Sequence, residues 1–571
     1  MKRGARAFLL AITLAVVPAR AQEEAAPAAS PPPQPPRVGV AAAPPLPLTL
    51  ADAVRLAVEH NADVAVARLE TQAARQAVRA AEGIFDPVFV PSLSYQRQVT
   101  PVASALGGGT GGRVEQDQVA GGLQLGGRVP WWGGRFTADF TSTRIETSNQ
   151  FSRLNPQYPS SLGLTYVQPL FRGREIDAER RQILLARETT ELTDAQLERV
   201  LMEQLTLVEQ AYWDLVFATR NLDVQLAAVE QARGQVASNE RQAQAGTLAP
   251  IDVVEAQTQL ANLLLSAAAA RQALTVAENR LKSLVLPDPG APEWGSALVP
   301  AGAVDLPAPA VSLEEARHAA LSRRPELVEL ETARAQNEID RRFYRNEGRL
   351  QVDLVGSYSL AGLAGSPLIR ASDPLGGGTD AALLARLNEL SLRAGLDPVA
   401  QPPTGGGGST VPTFLSGGYG DSLSNIFSRR FPTVLLELQV GIPIGNRTAG
   451  ANLARTQVLA ARIARQRRQL EQAIEAEVRN ALEAVQTSQA RLDAAAAARR
   501  NALEQYESER RRFEAGLATV FLVLQRQTAL VTAQAQELRA RADLNQAGAL
   551  LDRAMGRTLE RHGVAVATGP R

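Results

Sequence analysis

Apolar residues recur at alternating spacings of four and three through one long stretch of the chain, residues 174–245. They are Leu201, Leu205, Val208, Tyr212, Leu215, Thr219, Leu222, Leu226 and Val229, then a polar slot at Arg233, then Val236. So narrow a seam is coiled-coil geometry. The stretch has no proline and one glycine, Gly234. At 1.5 Å per residue it predicts a helix of roughly 105 Å. A second rod is predicted over 449–515, with a seam through Leu482, Val485, Gln489, Leu492, Ala496, Arg499, Leu503, Tyr506 and Phe513. Arginine pairs such as Arg499–Arg500 and Arg511–Arg512 read as its solvated face, with glutamate partners on the same helix.

Before each rod the pattern changes from a helical period to strict alternation. Phe89, Leu93, Tyr95 and Val99 share one face and Ser92, Ser94, Gln96 and Gln98 the other. Further on, Val352, Leu354, Tyr358 and Leu360 alternate with Gln351, Asp353, Ser357 and Ser359. Returning strands follow. Leu162, Leu164 and Tyr166 precede Pro169, and Val434, Leu436, Leu438 and Val440 precede Pro443. Proline lacks an amide donor, so Pro169 and Pro443 suit strand-to-helix junctions. One apolar and one polar face suit strands of a small barrel in lipid with a wet lumen.

The two series are copies of one unit. Thr49 with Asp52 opens the first helix and Ser312 with Glu315 the second, each a capping residue with an acid three positions on. The offset of 263 residues also aligns Asn61-Ala62-Asp63 with Arg324-Pro325-Glu326. Such a repeat sets the architecture before any detail does. The copies differ between their strands. The first inserts a hairpin, 119–145, around Trp131 and Trp132, a pair suited either to a membrane interface or to a turn away from lipid. The second inserts a long loop with the glycines 405–408 and a short helix, 380–394. Neither this glycine run nor that at 107–112 follows a phosphate-loop pattern.

Composition narrows the function. Formal charge is +1, which gives no argument for nucleic acid. With no cysteine there is no disulfide, thiolate metal site or thiol nucleophile. The three histidines, His60, His318 and His562, stand far apart in the sequence and read as surface or packing residues. No metal, cofactor or catalytic site is expected, and a hydrolase is poorly supported. Residues 1–21 read as a secretory signal: Lys2, Arg3 and Arg6, an apolar run, then Ala19-Arg20-Ala21. Beyond them no stretch reaches the roughly 18 apolar residues of a membrane helix.

The rods end in matching turns, Ala245-Gly246-Thr247-Leu248 and Ala515-Gly516-Leu517-Ala518. Glycine fits the left-handed position after a helix, and Pro250 the first position of the next. With the repeated openings "LTLADAVRLA" and "VSLEEARHAA", the strand–proline–helix junctions and the tip "AGTLAPIDVVEAQ", the chain resembles the TolC family of outer-membrane efflux and secretion channels. The resemblance covers residues 48 to about 556. It implies a homotrimer in outer-membrane lipid whose three copies close one 12-stranded barrel above a hollow periplasmic helical cylinder, a barrel that the hairpin at 119–145 either extends or stands outside. It also implies a periplasmic adaptor docking on Gly246, Thr247, Leu248, Gly516, Leu517 and Ala518, and an inner-membrane pump of RND or ABC type. Some members carry an acidic ring at the aperture; here only Asp252, with Glu255, stands at such a position, and helix N-terminal stabilisation explains both equally well.

The expected fold is mainly α with a membrane β-barrel contribution, in two repeats of helix, strands, long helix and return helix. After the signal comes a Pro-rich tether, 22–47. The first repeat spans 48–286 (helix 49–82, strands 88–169, long helix 174–245, return helix 250–286). A Pro-rich connector with little regular structure follows at 287–310. The second repeat spans 311–556 (helix 312–347, strands 351–442 with a long loop at 362–431, long helix 449–515, return helix 519–556), and 557–571 form a tail. The expected function is a passive, gated exit duct of a tripartite efflux or type I secretion system. The alternative is a soluble periplasmic coiled-coil adaptor, which shares the hairpins but has no use for strands between them.

Overall fold

The computed structural model describes residues 44–104, 107–109, 111–302, 310–368, 381–399 and 411–565. The expected signal and most of the tether lie outside the described residues.

Two rods dominate: α3 (Ala178–Gln244) and α9 (Arg447–Glu514), of 67 and 68 residues, each about 100 Å long. Both are continuous, although their first turns are not where proline spacing places them. α3 starts at Ala178 rather than 174, because Asp177 caps it by accepting the Arg180 N–H at 2.7 Å. α9 starts at Arg447, after Gly445 turns the chain with φ +81°. The return helices are α4 (Pro250–Val285) and α10 (Val520–Ala554).

The predicted seam of α3 is buried at Leu201, Leu205, Val208, Tyr212, Leu215, Val229 and Val236. Its central part packs on Leu274, Leu281 and Val285 of α4 and on Ala53 and Val54 of α1 (Leu50–His60). In the second repeat Ile474, Val478 and Val485 of α9 meet Leu544 and Leu551 of α10 and Met555 just after it, with Ala316 and Ala320 of α5 (Leu313–Arg323). Arg499 does not pair within its own helix; it crosses to Glu537 of α10.

The helices predicted at 49–82 and 312–347 are each broken in two. α1 gives way to α2 (Ala62–Glu82) at Asn61, whose ψ of 128° leaves the helical region. Its side chain then accepts the N–H groups of Asp63 and Val64 at 3.0 and 3.2 Å, capping the new helix. α5 gives way to α6 (Pro325–Glu347) at Arg324, because the residue before a proline is driven out of the helical region.

The strands form one antiparallel sheet in the order β2 (Val88–Pro101), β3 (Arg113–Arg128), β4 (Arg135–Thr147), β5 (Leu154–Pro169), β7 (Gln351–Pro367), β8 (Phe431–Gly441). The inserted hairpin, β3 and β4, lies inside the sheet between β2 and β5. The first repeat thus contributes four strands and the second two. β7 runs six residues into the loop predicted from 362. That loop also forms α7 (Ala381–Arg393) and α8 (Tyr419–Phe427).

The connector is more ordered than its prolines suggest. β6 (Leu298–Pro300) pairs in parallel with β1 (Leu46–Leu48), at the end of the expected tether. A 3₁₀ turn at Pro292–Gly295 brings the Trp294 carbonyl to Lys282 Nζ at 2.8 Å. Lys282 pairs with Glu278 at 2.9 Å, both 1% exposed, and Glu278 also accepts the Leu298 N–H. The tail adds α11 (Thr558–Arg561), after which His562 Nε2 sits 2.5 Å from the buried Glu209 carboxylate of α3.

Candidate channel wall and tips

Strand register sorts the sheet into two faces. Phe89, Leu125, Ala138, Leu164, Tyr358 and Val434 lie on one row across all six strands. The next row of that face runs Leu123, Phe140, Leu162, Leu360. The opposite face carries Ser94, Gln118, Gln124, Thr137, Thr165 and Ser357. Leu93 is 82% exposed, Val434 75% and Leu436 74%. A continuous apolar face of this size is explained by contact with lipid. Helix α8 rests on it towards the ends of the strands far from the rods. There Ser422 Oγ is 3.0 Å from Ser160 Oγ, and Asn425 donates to the Leu363 and Phe414 carbonyls at 2.9 and 2.7 Å.

Where sheet meets rods, charges bind the two parts together. Arg128 of β3 pairs with Glu179 of α3 at 2.8 Å, and Arg181 of α3 with Asp340 of α6 at 2.8 Å. Arg172 forks onto Glu347 of α6. Pro169 ends β5, and the next amide, Leu170 N–H, donates to the Val352 carbonyl at 2.8 Å. Pro443 lies two residues beyond the end of β8. The Trp131–Trp132 turn is held at this level too, its Trp132 carbonyl accepting from Gln168 Nε2 at 2.8 Å. Both indoles are exposed.

At the far ends the two tips have the same backbone. Gly246, with φ +73°, donates to the Ala243 carbonyl, and Thr247 N–H donates to the Gln242 carbonyl, both at 3.0 Å. Gly516, with φ +74°, donates to Phe513, and Leu517 to Arg512, at 2.9 and 2.8 Å. This pair of bonds is the Schellman ending of a helix, which needs a left-handed residue and so favours glycine. Thr247 and Leu517 are exposed, while Leu248 and Ala518 are half-buried. Leu248 and Phe513 pack on a cluster of Val236, Ala256, Val520 and Leu524, which joins the two tips.

Asp252 and Glu255 lie in the first turns of α4, both half-buried. The Asp252 carbonyl accepts from Asn239 Nδ2 at 3.4 Å. Glu255 lines a groove of about 750 Å³ between α4 and α10, beside Val254, Phe521 and Gln525. Above it polar side chains join the repeats. Gln259 Nε2 donates to Thr528 Oγ1 at 2.7 Å, Gln231 Nε2 to Tyr506 Oη at 2.8 Å, and Gln527 Nε2 to Gln231 Oε1 at 3.3 Å. Sequence reasoning missed these links. Their one visible sign is polar residues near an otherwise apolar seam.

Comparison with known proteins agrees with this geometry. The outer membrane efflux protein family model matches residues 135–285 and 413–557. The fold is similar to that of the outer-membrane channel OprN, at 16% identity over 89% of each chain and a TM-score of 0.58. It is similar to CusC, at 15% identity over 89% of this chain and 92% of that one, TM-score 0.56. The open-state outer membrane channel MtrE of Neisseria gonorrhoeae gives 15% identity over 89% of each chain and a TM-score of 0.55. Among curated proteins no sequence matches the chain. With both halves of its repeat matched, lipid-facing strands at one end and paired tips at the other, the chain belongs to the outer membrane efflux protein family.

Proposed function

We propose that three copies of the chain form the outer-membrane exit duct of a tripartite export system, gated at the tips of its helices. The observation that supports this most strongly is the pair of matching, exposed Schellman tips on helices about 100 Å long that grow from a sheet with an apolar face. Such a body reaches across a periplasm and offers the same small motif twice per copy to a partner. That partner is a periplasmic adaptor on Gly246, Thr247, Leu248, Gly516, Leu517 and Ala518, and an inner-membrane pump of RND or ABC type supplies the energy. Opening is an outward untwisting of α4 and α10, with Asp252 and Glu255 at the aperture.

The test is the double variant Gly246→Arg/Gly516→Arg. A Cβ at either glycine meets nothing within 4 Å, so the cost is the left-handed backbone alone, roughly 1–2 kcal/mol per site. Export should be lost while the native mass of the assembly stays unchanged. Normal export by this variant would remove the tips from the docking site.

A further inference from the structure

One copy leaves both edges of its sheet open. β2 and β8 are the outermost strands, and both are exposed along their whole length. Unpaired backbone does not survive in lipid, so spanning sheets close. Within a copy the edges are separated by four other strands. Their directions instead suit a neighbour: β2 leads away from α2 and β8 leads back to α9, so β8 of one copy meets β2 of the next antiparallel. We propose that copies join edge to edge, β8 to β2, six strands from each. On the trimer reading above, the barrel then has eighteen strands rather than the 12 implied by the family resemblance.

The sheet already carries the stagger that closure needs. Hydrogen-bonded partners lead from Val88 through Gly126, Thr137, Thr165 and Ser357 to Leu435. Leu435 lies six residues short of the β8 end at Gly441. Setting the helix-side ends of β8 and the next β2 level gives one residue of slip per strand. With about 3.3 Å along the strand for each ~4.8 Å across, the tilt is ~35°, at the edge of the range used by closed barrels. The same register keeps the faces matched. Leu93 of the next copy falls opposite Leu436 on the apolar face, and Ser92 opposite Glu437 on the polar one. At equal tilt, eighteen strands make a ring roughly half as wide again as twelve. The hairpin β3–β4 is therefore a widening device for the barrel.

The chain has no cysteine, so pairs can be introduced one at a time into the full-length protein and oxidised in isolated outer membranes. Ser92→Cys/Glu437→Cys should link different copies into covalent dimers and trimers. Ser94→Cys/Ala120→Cys, across β2 and β3, should link within one copy. Ser94→Cys/Ser161→Cys joins β2 to β5 and should stay unlinked; it forms only if the hairpin stands outside the barrel. A β2–β5 link without a β2–β3 link overturns the proposal, as does an intramolecular Ser92–Glu437 link. Native mass reports the trimer separately, so loss of the trimer reading and loss of the strand pairing are distinguished.

Discussion

The Arg324 guanidinium, 5% exposed at the break between α5 and α6, donates to the Glu326 carboxylate at 2.7 Å. Its other arm reaches Glu477 of α9. Burial pushes the Glu326 carboxyl up, but the Arg324 hydrogen bond, a hydrogen bond from its own backbone amide and the charges of Arg324 and Arg199 together outweigh it and leave the group below its ordinary value of 4.5. A carboxyl depressed by folding contributes stability that is present above its unfolded pKa and is lost as pH falls through the folded one. Stability should therefore fall as the solution is acidified below about pH 4.5, and less steeply in Glu326→Gln. Arg324→Met should cost roughly 1–3 kcal/mol at neutral pH, the Glu477 share being small because that side chain is 41% exposed. Thermal melts of both variants across pH check this.

Asn346 of α6 donates to the Ile176 carbonyl at 2.7 Å, with both residues buried. It ties the second repeat to the entry of the first rod. Asn346→Leu leaves that carbonyl unpaired and should destabilise by about 1–3 kcal/mol. A lowered melting temperature with unchanged membrane targeting is the expected result.

Gly362 of β7 lies directly under α8. A Cβ there would stand 2.2 Å from the Ser422 carbonyl oxygen and 2.8 Å from Ile426. Gly362→Val should lift α8 from the sheet at a cost of roughly 1–3 kcal/mol and expose residues 411–430 to added protease. Gly356→Val, where a Cβ meets nothing within 4 Å, should not.

The exposed indoles of Trp131 and Trp132 sit at the sheet–helix boundary, while Trp213 is buried in the helical core. Bromine carried near the lipid headgroups should quench the former pair and spare Trp213. Trp131→Phe/Trp132→Phe should remove most of the quenchable emission.

Three hydrogen bonds above the tips join the repeats: Gln259–Thr528 between the return helices α4 and α10, Gln527–Gln231 between α10 and α3, and Gln231–Tyr506 between the rods α3 and α9. Tyr506→Phe combined with Gln259→Ala removes two of them. On the gated reading proposed above, a loss of about 1 kcal/mol from a closed state held by these bonds raises the open population about fivefold. Planar-bilayer recordings should show that increase in basal conductance.

The rods and strand faces were legible because both rest on local periodicity, which Leu201 to Val236 and Phe89 to Val99 follow with single breaks such as Arg233 and Arg97. The breaks at Asn61 and Arg324 were not. Asn61 serves two helices at once, ending α1 and capping α2, and a lone polar residue in a helical pattern reads as surface. Pro325 was the available signal in the second copy, since proline favours a first helical position. The place of the hairpin depends on pairing between strands far apart in sequence, which alternation alone does not specify. The β1–β6 pair and the Lys282–Glu278 pair behind it likewise arise from contacts that the connector's composition hides. At the tips the sequence located both glycines, but the polar links between Gln231, Tyr506 and Gln527 show in it only as polar residues near an apolar seam.

Fractionation of cells producing the full-length protein, followed by electrophoresis with and without heating, tests the central claim most directly. An outer-membrane duct predicts recovery in the outer-membrane fraction as a trimer that heat converts to a monomer smaller than the 60.9 kDa full chain by its signal segment. Recovery as a soluble monomer in the periplasm would contradict it.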